Sequence, residues 1–335
     1  MSYSGLKVLV TGADGFIGSH LTEALVACGA SVTALCLYNS FDTHGWLDDV
    51  PHLDVPRLRR VRGDIRDAAF VRDLVRGQQV VFHLAALVSI PQSYVAPQSF
   101  VETNVIGTLN VLTACRDANV ARMVHTSTSE VYGSAITMPI AESHPLQGQS
   151  PYSATKIAAD MLAESYVRSF DLPVAILRPF NTFGPRQSER AVIPVIIRQL
   201  ADQRCDVVKL GALTTVRDFT FVEDTVQAFL AIGISPSVRF GSAYNAGTGT
   251  AVTIGDVVDL VAGILGFSKP IERETGRLRP EKSEVLALLA DNSRLRTDTG
   301  WSPQVALRDG LVRTVAWWRD RLCSGRVRAT MGFMS

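Results

Sequence analysis

The stretch Thr11-Gly12-Ala13-Asp14-Gly15-Phe16-Ile17-Gly18 decides the fold. It follows the apolar run 7–10 and precedes a helical periodicity over 17–27, which closes at Gly29. A strand, a glycine-rich turn and a helix in that order open a doubly wound sheet. The glycines have separate jobs in such a turn. One makes the bend, one lets backbone approach a pyrophosphate, and one lets the helix pack on the sheet. The helix start adds free N–H groups and the positive end of its dipole.

Outward from this turn the alternation continues. Strand-like runs at 31–37, 59–61, 80–84, 123–126 and 174–177 are interleaved with helical patterns at 67–76, 99–118 and 152–170. Asp67 is placed to cap its helix. Near-continuous apolar strands between helices imply a parallel sheet covered on both faces. After Arg178-Pro179 the rhythm loosens, with helices expected at 254–265 and 307–322. The expected fold class is α/β, a Rossmann doubly wound parallel sheet with a smaller mixed α/β C-terminal lobe. The Rossmann part covers 1–178 plus roughly 214–244, and the second lobe 179–213 and 245–322. Residues 323–335 lack periodicity and are expected to fray.

Composition narrows the function. The 335 residues carry 33 Lys+Arg against 32 Asp+Glu, a net charge of +1, which gives no electrostatic reason to expect a nucleic-acid partner. Five scattered cysteines (28, 36, 115, 205 and 323) show no metal-ligand spacing and no disulfide framework. No metal is expected, and a reducing cytoplasm fits. No apolar run approaches a membrane span, and the N-terminus has no signal-peptide pattern, so no membrane association is expected.

Two further segments carry chemistry. Tyr152-Ser153-Ala154-Thr155-Lys156 sets a phenol and an ammonium at i, i+4 on one helix face. A Lys cation beside a phenol should favour the phenolate and lower its pKa from about 10. Thr126-Ser127-Thr128-Ser129-Glu130-Val131-Tyr132-Gly133 ends the fifth strand, at the sheet edge where ligands of such folds bind. Thr128 there can hydrogen-bond a substrate hydroxyl, and Glu130 offers a second base.

Together these residues resemble the extended short-chain dehydrogenase/reductases, in the NAD-dependent epimerase/dehydratase family, over most of the chain. The chain is most similar to nucleotide-sugar 4,6-dehydratases of the legionaminic-acid type. The matching stretches are Leu37-Tyr38-Asn39-Ser40-Phe41 with Gly45-Trp46-Leu47-Asp48, then 127–133, and Arg279-Pro280-Glu281-Lys282-Ser283-Glu284. The resemblance implies an NAD-dependent hydro-lyase with internal hydride transfer, acting on an NDP-hexose or NDP-N-acetylhexosamine. Its catalytic set would be Thr128, Ser129, Glu130, Tyr152 and Lys156. In dTDP-glucose dehydratases an Asp that protonates the leaving hydroxyl stands where this chain has Ser129, whereas GDP-mannose dehydratases also carry Thr-Ser-Glu.

Cofactor contacts are implied at Gly12, Gly15, Phe16, Ile17, Gly18, Asp64, Ile65, Leu84, Ala85, Ala86, Tyr152, Lys156 and Pro179. The acidic residue expected at the end of the second strand is missing, as is an Arg to take a 2′-phosphate. Asn39 or Ser40 could reach the ribose instead. NAD is expected, with NADP left open. His83 reads as an imidazole at the edge of the core. Asn104 reads as a structural or proton-path residue. Substrate diphosphate contacts are implied at Asn181, Arg217 and Arg279. The helices at 99–118 and 152–170 imply a homodimer by resemblance.

The rival readings on this scaffold are a UDP-glucuronate decarboxylase and an NDP-sugar 4-epimerase. Glu130 argues against the epimerase, and no cation for a substrate carboxylate can be picked out for the decarboxylase. A non-enzymatic dinucleotide sensor would be expected to lack the Tyr–Lys pair.

Overall fold

The computed structural model describes residues 2–274 and 285–327. In chain order the first half runs β1 (Lys7–Thr11), α1 (Phe16–Ala27), β2 (Ser31–Leu37), β3 (Leu58–Gly63), α2 (Ala68–Val75), β4 (Val80–His83), α3 (Ile90–Val95), α4 (Pro97–Phe100), α5 (Gly107–Asp117), β5 (Arg122–Thr126), α6 (Pro151–Phe170) and β6 (Val174–Pro179). The rest is β7 (Asn181–Phe183), α7 (Val192–Ala201), β8 (Val208–Leu210), β9 (Val216–Arg217), β10 (Phe219–Phe221), α8 (Val222–Ile234), β11 (Ala243–Ala246), β12 (Val252–Thr253), α9 (Ile254–Leu265), β13 (Ile271–Arg273), α10 (Ser293–Thr299) and α11 (Leu307–Cys323).

Seven strands form one parallel sheet in the order β11-β6-β5-β4-β1-β2-β3. The order reverses beside β1, between β1 and β4, and that switch point is where a doubly wound sheet opens a crevice for a ligand. Side chains alternate between two cores, as a pleated strand requires. Val8, Val10, Phe82, Val124 and Leu177 pack on the face covered by α1 and α8. Leu9, Val81, Met123 and Ile176 pack on the other face, under α2, α5 and α6. This two-sided burial explains the continuous apolar runs in the sequence.

The chain beyond β6 builds a separate apolar cluster. Phe183, Ile193, Ile196, Val257, Leu311 and Trp318 meet there, drawn from β7, α7, α9 and α11. Trp318 is core material, as its place on the last helix suggests. Three two-stranded pairs (β10–β7, β12–β9 and β13–β8) complete this region. Among the described residues no helix is long and apolar enough to cross a membrane.

One helix departs from the sequence pattern. The run expected over 99–118 is α4, then a π-helical segment Val101–Ile106, then α5. A π turn inserts one residue into the helical repeat, so the amphipathic pattern on either side survives and hides it. Asn104 lies inside this segment, wholly buried.

Candidate active site

The glycine turn joins β1 to α1 as the sequence requires. Gly12 has φ of +69°, and a Cβ on it would sit 2.8 Å from Ala85 N. A Cβ on Gly18 would sit 2.0 Å from Gly12 O, so the first turn of α1 packs directly on the bend. Gly15 precedes α1, and no side chain caps the helix. The first-turn N–H groups therefore have no intrahelical acceptor. Glycine backbone and open N–H groups at a helix start suit a dinucleotide pyrophosphate.

β4 ends beside this turn. Leu84 N and Ala85 N each donate to Thr11 Oγ1, at 3.1 Å. Thr11 Oγ1 lies 2.8 Å from His83 Nδ1, and His83 Nε2 lies 3.0 Å from Thr108 Oγ1. Thr108 gives its own proton to Asn104 O. His83 Nε2 must then be the donor to Thr108, and Nδ1 the acceptor from Thr11. Burial pushes the His83 pKa well down, so the imidazole is neutral. His83 thus ties β1 to β4 and to α5, in agreement with a core-edge reading.

Thr128 caps a 3-10 turn (Ser129–Tyr132) at the end of β5, its Oγ1 accepting from Glu130 N at 3.2 Å. Ser129 is buried, whereas Thr128 and Glu130 stay partly exposed. On α6, a capping box at Ser150 and Ser153 with Pro151 at the first helical position starts the helix just before Tyr152. Tyr152 is buried against Phe100, edge to face at 6.3 Å. The Thr128 hydroxyl lies near enough to the Tyr152 phenol to favour its ionised form, and the charge of Glu130 is felt there. The structure therefore brings together Thr128, Glu130 and Tyr152 from two separate elements.

The structure reverses the expected direction of the Tyr152 shift. Burial raises the Tyr152 pKa above its ordinary value; Thr128 lowers it, and Glu130 and Asp160 raise it further. Lys156 is not among the groups acting on the phenol. Its ammonium donates instead to Thr126 O at 2.5 Å. Burial brings the Lys156 pKa down to about 8, against the pull of Asp160. This shift has a sign in stability. Between about 8 and the ordinary 10.5 the unfolded chain holds more protons at this position than the folded one. Stability contributed by Lys156 should therefore rise with pH across that window. In urea titrations the gap between wild type and Lys156→Met should shift in favour of wild type from pH 8 to 10.5, and a constant gap would contradict the burial.

Below the Tyr–Lys pair lies a charged cluster that the sequence reading missed. Asp160 is fully buried on α6, four residues after Lys156. Its Oδ2 accepts from Ser127 Oγ at 2.8 Å and from Arg178 Nη2 at 2.9 Å. Arg178 Nη1 also donates to the Tyr132 hydroxyl, which donates to Asn245 Oδ1 at 2.6 Å. His125 Nε2 lies 3.3 Å from Asp160 Oδ1, but off the line of a hydrogen bond, so that contact is electrostatic. Burial pushes the Asp160 carboxyl up, yet His125, Arg178 and Lys156 outweigh it and hold it below the ordinary range. A carboxylate one turn beyond Lys156, on a face otherwise lined by Ala159 and Ala163, was the available signal. Asp160→Asn should cost about 3–5 kcal/mol in chemical denaturation by leaving Arg178 unpaired. Adding Arg178→Met should recover part of that loss.

Asn104 joins three parts of the site. Its Oδ1 accepts from Leu87 N at 2.8 Å, and its Nδ2 donates to Leu87 O and to Thr155 Oγ1. It thus fixes the loop after β4 against α6 beside Lys156. Its structural role therefore takes a concrete form, carried by a π turn that periodicity could not show.

Other expected contacts have found protein partners. Both polar atoms of Asn39 are used inside the loop 37–43, with Leu37 O, Thr43 O and Phe41 N. Ser40 is exposed. Asp64 is clamped by Arg66 at 2.6–3.1 Å, which lowers its pKa. Ile65 is buried under Gly107, and its carbonyl accepts from Asn110. Pro179 is buried at the end of β6. Arg217 is buried on β9, while its neighbour Asp218 accepts from Thr248, Gly249 and Ala290 and so anchors two loops. Asn181 Oδ1 is buried without a hydrogen-bond partner among the described residues. Arg279, with its stretch 279–284, lies outside the described residues, as does 328–335 of the expected tail.

A parallel sheet with a glycine turn, a Tyr-x-x-x-Lys helix and a hydroxyl–carboxylate pair at the strand edge defines the short-chain dehydrogenase/reductase class. Within it, residues 9–314 match the family model described as GDP-mannose 4,6 dehydratase, and the chain belongs to that family. It is 34% identical to a dTDP-glucose 4,6-dehydratase of Actinoplanes, over 94% of this chain and 98% of that one. It is equally identical, over 94% and 99%, to a UDP-glucose 4-epimerase of Mycolicibacterium smegmatis. Among solved structures it superposes on the dTDP-glucose 4,6-dehydratase DesIV from Streptomyces venezuelae, with NAD and TYD bound. That match has a TM-score of 0.84 at 34% identity and covers 95% of this chain and 98% of that one.

Proposed function

We propose that this chain is an NAD-dependent nucleotide-sugar 4,6-dehydratase that turns an NDP-hexose, N-acetylated or not, into a 4-keto-6-deoxy sugar. One observation carries the choice over a 4-epimerase: Glu130 stands two residues from Thr128, with its charge acting on Tyr152. A hydride shuttle at C4 has no use for a second base there; elimination across C5 and C6 does.

The glycine turn and the start of α1 would hold the dinucleotide, with Leu84, Ala85 and Ala86 along its path. NAD, when bound, supplies the hydride acceptor at C4 and the donor at C6, so no cofactor is consumed. Tyr152 takes the C4 hydroxyl proton, with Thr128 holding that hydroxyl and Lys156 anchored to Thr126 O one helical turn away. The C4 ketone acidifies the C5 hydrogen, and Glu130 removes it as the C6 hydroxyl leaves as water. C5 is then reprotonated by a proton that comes from solvent. The Ser129 hydroxyl is too weak an acid to protonate the leaving group, which leaves Glu130 to pass its proton to the departing hydroxyl. Arg217 and Asn181 would bind the substrate diphosphate, Arg217 through its guanidinium fork.

The division into a Rossmann part and a substrate lobe is supported by the separate apolar cluster beyond β6. A homodimer is supported by Val101, Ile106, Met161 and Phe170, which are exposed on the π segment and on α6. A cytoplasmic enzyme fits the free cysteines. The similarity at 37–48 and 127–133 favours legionaminic-type sugars as products. Incubation with UDP-, GDP-, CDP- and dTDP-hexoses and with UDP-glucuronate, read by chromatography and mass spectrometry, tests the reading. A product lighter by one water with no net reduced cofactor is expected. An isomer of the substrate, or loss of carbon dioxide, would replace it with a rival.

A further inference from the structure

We propose that Asp14 selects the cofactor: its carboxylate takes the place of the missing acid at the end of β2, holding the adenosine ribose hydroxyls and repelling a 2′-phosphate. This inference rests on the dinucleotide reading above. In folds of this type an acid at the end of the second strand accepts from the ribose 2′-hydroxyl. Here that strand ends Leu35-Cys36-Leu37. Cys36 is buried, and burial pushes its thiol up to about 12, so it supplies no anion. The amide of Asn39 is spent within its own loop.

Asp14 reaches the same place from the glycine turn. Its Oδ2 accepts from Leu37 N at 3.2 Å, which lays the carboxylate across the carboxyl end of β2. The turn is held there by its backbone: Ala13 N donates to Leu35 O at 3.0 Å, and Trp46 N donates to Asp14 O at 3.1 Å. Among the described residues no other side chain donates a hydrogen bond to this carboxylate. Its position is thus fixed, and acceptor capacity remains for a ligand hydroxyl. Burial raises the Asp14 pKa, and hydroxyl donation from a ribose would lower it again.

The nearby cationic side chains already have carboxylate partners. Arg62 on β3 is ion-paired with Asp42, Arg60 stands 4.0 Å from Asp48, and His44, which also acts on Asp14, lies 3.3 Å from Asp48. A phosphate brought to the carboxyl end of β2 would lie beside the Asp14 carboxylate. Two like charges in close, partly buried contact disfavour that complex strongly.

Calorimetric titration of nucleotide-free protein with NAD and with NADP tests the assignment. Wild type should prefer NAD by at least about tenfold, one charge-assisted bond being worth roughly that ratio. Asp14→Ser should weaken NAD and not NADP, so that the preference falls about tenfold or more. Asp14→Asn keeps the Leu37 bond and the side-chain volume while removing the charge, and should gain NADP affinity in a protein of unchanged thermal stability. Equal losses for both nucleotides in Asp14→Ser, or full preference for NAD in Asp14→Asn, would overturn the assignment while leaving the dinucleotide reading intact. Wild type that binds neither nucleotide would instead remove that reading, and this inference with it.

Discussion

Tyr152→Phe lowers kcat by about 10²–10⁴-fold, the usual contribution of a positioned acid–base group. The substitution removes one hydroxyl and keeps the ring, which packs on Phe100 in a small apolar cluster with Ile90. Stability and NAD affinity should therefore change little. Burial holds the phenol above its ordinary pKa, and Thr128 only partly offsets that. Tyr152→Phe should accordingly block the first hydride transfer, with no transient reduced cofactor in stopped flow. A variant that still reduces the cofactor at the wild-type rate would move the base elsewhere.

Glu130→Gln separates the two halves of the reaction. Oxidation at C4 uses Tyr152 and Thr128 and should continue, whereas removal of the C5 proton should fall by about 10²–10⁴-fold. Reduced cofactor should then accumulate at the site, and exchange of the C5 hydrogen with solvent should disappear. Gln preserves the size of the side chain and the backbone bond from Glu130 N to Thr128 Oγ1, so the 3-10 turn remains. Full dehydration by this variant would show that Glu130 is not the base.

Much of this site was legible in the residues. The glycine turn, the strand–helix alternation and the i, i+4 Tyr–Lys pair are local patterns, and local patterns survive in sequence. Helix α9 follows its predicted span because apolar period and cap coincide at Thr253 and Gly266. The missed features are of another kind. His125, Ser127, Asp160 and Arg178 come from three elements and meet only when β5, β6 and α6 pack. The π turn at Asn104 adds a residue without disturbing the apolar stripe around it. The direction of the phenol shift is not legible in the sequence, because spacing shows that Tyr152 and Lys156 share a face, but not that Lys156 turns to Thr126 O. Asp14 was hidden in plain view, since its partner Leu37 is 23 residues away.

Internal hydride transfer coupled to loss of water is the central claim, and an isotope at C4 tests it directly. Substrate carrying deuterium at C4 would be turned over in ordinary water and the product read by NMR. The label should be found at C6 of the 4-keto-6-deoxy sugar, with solvent hydrogen at C5. Label that returns to C4, with all hydroxyls retained, would mean that the chain epimerises its sugar and does not dehydrate it.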